Sequence, residues 1–178
     1  PLDMGQIDSD KMYNIVMKWD WGNSESPNIY HDTETRKNSI TYRTNLARLM
    51  EQLINEGKKE KAKKIIDLAM EKMPLEYFGY YTMLEPFAAG YYELGEKEKA
   101  RKILTQLIGK YKESLNYYNT LKADEQLDMY IEIVTDIERY RDLLSVMKDR
   151  GDNAFYESNK RAFNTYNKMF PRFKRESE

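Results

Sequence analysis

Residues 57–66 read GKKEKAKKII and residues 95–104 read GEKEKARKIL, identical at seven of ten positions and thirty-eight residues apart. A self-similar period in this range means stacked supersecondary units, each too small to bury its apolar face alone. Each copy sets a glycine before a charged run and then an apolar stripe, the pattern of one helix ending and the next beginning.

The flanking sequence fits. Upstream of Gly57, Leu46, Leu49, Leu53 and Ile54 follow the three- and four-residue spacing of a one-sided helix. Downstream, Ala62, Ile65, Ile66, Ala69 and Met73 form a second stripe, stopped by Pro74. The second copy offers Leu84, Phe87, Ala88 and Tyr91 before Gly95, then Ala100, Ile103, Leu104 and Leu107. Both glycines are expected in the left-handed conformation. The lysine runs read as solvated outer faces, with Glu60–Lys64 and Glu98–Lys102 as supporting pairs four apart. They lack the further glycines and the Ser or Thr of a phosphate-binding loop.

Composition narrows the function classes. The chain of 178 residues is long enough for one helical domain with its own core. It has no cysteine and a single histidine, so a Cys/His zinc site is excluded. Its 29 Lys and Arg balance 30 Asp and Glu with the signs interleaved, unlike a nucleic-acid-binding face. No apolar run is long enough to span a membrane. The opening PLDMGQIDSD is no signal peptide and reads as a cut end, which suggests a soluble piece of a larger protein.

The first copy resembles the tetratricopeptide repeat. Counted from Arg43, Leu46, Leu49, Leu53, Gly57, Ala62, Ile66, Ala69 and Pro74 fall on its landmarks. The second copy departs: Leu107 stands for Ala69, Lys112 for the proline, and the period is longer. The extra residues are placed in PLEYFGYYTML, lengthening a first helix that Pro86 kinks or begins. The expected architecture is all-α: tetratricopeptide-like hairpins over 43–74 and 75–112, preceded by a helix and strap over 1–42. Residues 113–178 form a capping part of one domain spanning 1–178. There, SLNYYNTL reads as a short bridging helix. Leu127, Tyr130, Ile131, Val134, Ile137, Leu144 and Met147 stripe one long helix ended by Gly151, and Phe155, Asn159, Ala162, Phe163, Tyr166 and Phe170 stripe another ended by Pro171. At the start, SDKMYNIVMKWDW reads as one helix capped by Ser9 or Asp10.

The least regular stretch, 21–43, carries His31 in a Tyr-His-Asp-x-Glu cluster. One histidine without cysteine or a serine elbow is a weak catalytic constellation. Trp19, Trp21 and Tyr30 are candidates for a platform on which a sugar ring stacks; alternatively the strap buries these aromatics on the first hairpin.

The order KMYNIVMKWDWGN, PNIYHDTETRKNSITYRTNLARLMEQLINEG, AxxIIDxAMEKMP, FAAGYYELGEKEKA and LNYY resembles the soluble C-terminal region of a family of large bacterial polytopic membrane proteins. That family is abundant in Bacteroidetes, and its membrane part resembles protein O-mannosyltransferases. The resemblance covers most of 10–120. It implies a membrane-embedded parent with this region soluble, on the periplasmic side, and it marks Tyr30, Asp32, Arg36, Arg43, Gly57, Pro74 and Gly95 as structural positions. No catalytic residue carries over.

The sequence therefore predicts a non-catalytic module without cofactor or metal that binds a protein or peptide. Its groove is expected on the first helices, at Thr44, Arg48, Glu51, Thr82, Glu85 and Tyr92, beside Ala47 and Ala89. Ala47, Glu51, Thr82 and Pro86 occupy the positions where a peptide-carboxylate clamp would need Lys, Asn and Arg. The alternative is recognition of a glycan or lipid-linked sugar by the aromatic strap.

Overall fold

A computed structural model describes residues 7–173; the opening at 1–6, read above as a cut end, lies outside the described residues. The described residues are all-α, with no strand. They comprise α1 (Ser9–Val16), α2 (Thr33–Asn55), α3 (Lys59–Lys72), α4 (Leu75–Phe78), α5 (Glu85–Glu93), α6 (Lys97–Thr120), α7 (Ala123–Asp128), α8 (Tyr130–Asp149) and α9 (Asn153–Met169), with short 3-10 turns at Tyr81–Leu84 and Pro171–Phe173. The chain divides into two compact units, Pro1–Arg101 and Lys102–Glu178, the boundary falling inside α6.

In the first unit α2 and α3 form the hairpin that the first copy predicts. Leu46, Leu49, Met50 and Leu53 of α2 and Ala62, Ile65, Ile66 and Ala69 of α3 are all at most 1 % exposed. Each large aliphatic so buried contributes about 1.5–3 kcal/mol. The turn is a Schellman motif: Lys58 N–H reaches Leu53 O at 2.8 Å and Gly57 N–H reaches Ile54 O at 2.9 Å, with Gly57 at φ 73°. The second copy repeats it, Glu96 N–H to Tyr91 O at 2.8 Å and Gly95 N–H to Tyr92 O at 3.0 Å.

The sequence reading needs correction at several element ends. α2 starts at Thr33 rather than Arg43, because Asp32 caps it through Thr35 N–H at 2.7 Å, so the irregular strap is shorter than expected. α1 is capped by Asp8 and ends at Val16, leaving both tryptophans outside it. The extra residues of the second copy do not lengthen a helix: α4 stops at Gly79 (φ 67°, ψ −144°), Tyr80 is left-handed, and Pro86 begins α5. The lysine runs are not simply solvated. Lys58 and Lys61 bind Asp10, Lys63 binds Glu96, and Lys99 binds Asp67 at 2.6 Å. Glu98 pairs with Arg101, not Lys102. The pairs to Asp10, Glu96 and Asp67 tie one element to the next, whereas Glu98–Arg101 braces α6 itself.

In the second unit SLNYYNTL is no separate bridge but the end of α6. The expected long helix breaks at Met129, so Leu127 (58 % exposed), Tyr130 and Ile131 (73 %) fall off the buried stripe, which begins at Ile133. Tyr140 is fully buried, 5.1 Å edge-on to Phe163 and 6.5 Å from Tyr111. Gly151 closes α8 with the same hydrogen-bond pair as the other two turns, and Phe163 and Phe170 anchor α9.

Candidate functional site

Between α1 and α2 the chain makes consecutive tight turns. Trp21 O accepts from Ser24 N–H at 3.0 Å across Gly22 and Asn23, both at positive φ, the signature of a type I′ turn. Asp20 Oδ1 accepts from Gly22 N–H at 2.9 Å. The strap is pinned to the end of α3: Ser24 Oγ donates to Lys72 O at 2.6 Å, and Lys72 Nζ pairs with Glu25 at 2.6 Å. Lys72 in turn holds the Glu25 carboxyl below its ordinary value.

These turns bring Trp19 within 5.6 Å of Trp21, and α2 brings Tyr42 within 5.6 Å of Trp19 and 6.0 Å of Trp21. Trp19 meets Tyr42 edge-on and Trp21 is tilted at 59° to both, so the rings pack against one another and leave no gap for a group as in an aromatic cage. They form one wall of a cleft of about 740 Å³, inside the ~300–1,000 Å³ span of small-molecule sites. Thr35, Asn38, Ser39 and Tyr42 of α2 also line it, at the i, i+3, i+4, i+7 spacing of one helix face, with Met73 and Phe78 completing the lining.

Met73 and Phe78 are set there by Arg43. Its side chain is fully buried, yet among the described residues every hydrogen bond it makes goes to a backbone carbonyl: Nη1 to Gly79 at 2.6 Å and Tyr80 at 3.3 Å, Nη2 to Met73 at 2.8 Å. One cation thus caps the negative C-terminal poles of α3 and α4. Burial pulls its pKa down to about 10.

Of the expected platform, Trp19 and Trp21 join the ring cluster and Tyr30 does not; it lies at the rim, 88 % exposed. Tyr42 takes the third place. Placing the start of α2 at Arg43 hid it, since only a helix running through 35–42 puts Tyr42 beside Thr35 and Asn38. The burial reading of the strap holds in part: both tryptophans are half-buried, and the Trp21 indole N–H is shielded with no acceptor among the described residues. His31 is engaged structurally, its Nε2 2.9 Å from Ser24 O and its ring 4.3 Å from Phe78. No group of three His, Cys, Asp or Glu among the described residues is placed to hold a metal.

The six expected groove residues line none of this cleft. Thr44 and Glu51 are exposed, with Thr44 Oγ1 donating to Ile40 O at 2.8 Å. Arg48, Thr82, Glu85 and Tyr92 are half-buried, and Arg48, Glu85 and Tyr92 each hold an interaction within the chain.

A scan against protein-family models and searches of curated proteins and of solved structures found no match.

Proposed function

We propose that this chain is a non-catalytic recognition module whose aromatic cleft stacks against a sugar. The observation that carries this reading is the cleft itself. A wall of two indoles and a phenol offers faces to the C–H surface of a pyranose. Beside it the Asn38 amide and the Tyr30 and Tyr42 hydroxyls, uncommitted among the described residues, offer hydrogen bonds to ring hydroxyls. The peptide groove is the weaker reading, because three of its residues are already engaged.

The helical hairpins are taken as tetratricopeptide-like supports for this cleft, and the sequence resemblance makes the region the soluble, periplasmic C-terminal part of a membrane-embedded glycosyltransferase-like protein. No helix among the described residues is long and apolar enough to cross a membrane. In that setting the module holds a glycan near a sugar-transferring parent and performs no chemistry itself.

The chain's two tryptophans both line the cleft, so intrinsic emission reports on the site. Titration with neutral oligosaccharides is expected to give a saturable emission change, and Tyr30→Ala to weaken it with an unchanged melting temperature. A silent glycan panel alongside binding to a peptide library, lost in Glu51→Arg, would restore the groove reading.

A further inference from the structure

The charge around the cleft goes further than the presence of aromatic rings. None of its lining residues is Lys or Arg, and its one formal charge is the Asp20 carboxylate. A helix N-terminus is the usual substitute for a cation in binding a phosphate. That of α2 adjoins the cleft through Thr35, but it is already occupied. The Asp32 carboxylate accepts Thr35 N–H, which holds its pKa below the usual range, and Glu34 follows in the first turn. Lys72, at the end of α3 where the strap is pinned, is spent on Glu25 and Glu71. An anion entering the cleft would meet the Asp20 carboxylate with no Lys or Arg among the lining residues to offset it.

We infer that the cleft takes uncharged sugar residues of a finished glycan and rejects both uronic acids and the phosphate-linked form of the same sugars. This rests on the carbohydrate reading above and decides between its two sources, since a lipid-linked donor presents its sugar on a phosphate. Asp20 is the residue that sets the discrimination. Its Oδ1 is held by Gly22 N–H in the turn before the ring wall, which leaves Oδ2 with no partner among the described residues.

The test compares methyl glucoside, methyl glucuronoside and glucose 1-phosphate, with the mannose and N-acetylglucosamine counterparts, by tryptophan emission at low salt. Neutral glycosides are expected to bind at least about tenfold more tightly than their anionic partners, with the gap shrinking as salt screens the carboxylates. In Asp20→Asn, where the amide oxygen still accepts from Gly22, the gap is expected to narrow several-fold. Equal or tighter binding of the glucuronoside or the phosphate would overturn the inference while leaving the carbohydrate reading in place. Silence of every probe, neutral ones included, would overturn both.

Discussion

Arg43 Nη2 donates to the carbonyl of Met73 at 2.8 Å, and both side chains are at most 2 % exposed. This contact links the middle of α2 to the end of α3, and through Gly79 it fixes the segment that carries Phe78 into the cleft. Arg43→Met should leave at least two buried carbonyls unpaired, a loss of about 2–4 kcal/mol. Arg43→Lys should recover only part of it, because an ammonium lacks the fork that spans both carbonyl sets. Thermal denaturation measures both; an unchanged midpoint in Arg43→Met would show that other donors reach these carbonyls.

Acid should loosen the docking of α1. Hydrogen bonds from Lys58 and then Lys61 hold Asp10 at about 2, and Lys58, Ser9 and Gln52 hold Glu56 at about 2. Folded values below the ordinary 3.8 and 4.5 mean that the stabilisation is complete above about 4.5 and is lost as pH falls toward about 2. These groups are at the surface, so high salt should shrink the effect. Melting temperatures across this window should fall more steeply in the native chain than in Asp10→Asn; parallel curves would count against it.

The two kinds of positive-φ glycine should respond differently. Gly57 sits at φ 73° with nothing within 4 Å of an added Cβ, so Gly57→Asn should be nearly neutral and Gly57→Val should cost about 1 kcal/mol or more. Gly79, at φ 67° and ψ −144°, lies near a region essentially closed to other residues, so even Gly79→Ala should cost about 1–3 kcal/mol. Chemical denaturation of the three variants would rank them, and a harmless Gly79→Ala would show that the connection can be rebuilt.

Gly90 is constrained by packing instead. A Cβ there would lie 2.3 Å from Met50 Sδ and 3.1 Å from Ile66 Cδ1, where α5 meets the first hairpin. Gly90→Ala should destabilise by about 1–3 kcal/mol, and Met50→Ala combined with it should cost less than the sum of the two. Additive losses in that double-mutant cycle would show that the two sites do not share the space.

What the sequence determined by itself is local. The glycines at 57, 95 and 151 end helices through bonds to residues within six positions of them, and the apolar stripes of α2 and α3 name their own buried faces. Such features need only the helical period and turn stereochemistry. The cleft was half legible: Trp19 and Trp21 stand out as rare aromatics in an irregular segment, but nothing local ties them to Tyr42. The tertiary structure alone decided that a fully buried arginine, which composition would place at the surface, caps two helix ends, and that Lys63 of the first lysine run pairs with Glu96. These are contacts between residues 30 to 37 positions apart. Their partners are chosen by which chain segments the packed core brings together, and the spacing of residue types along a single helix carries no record of that choice.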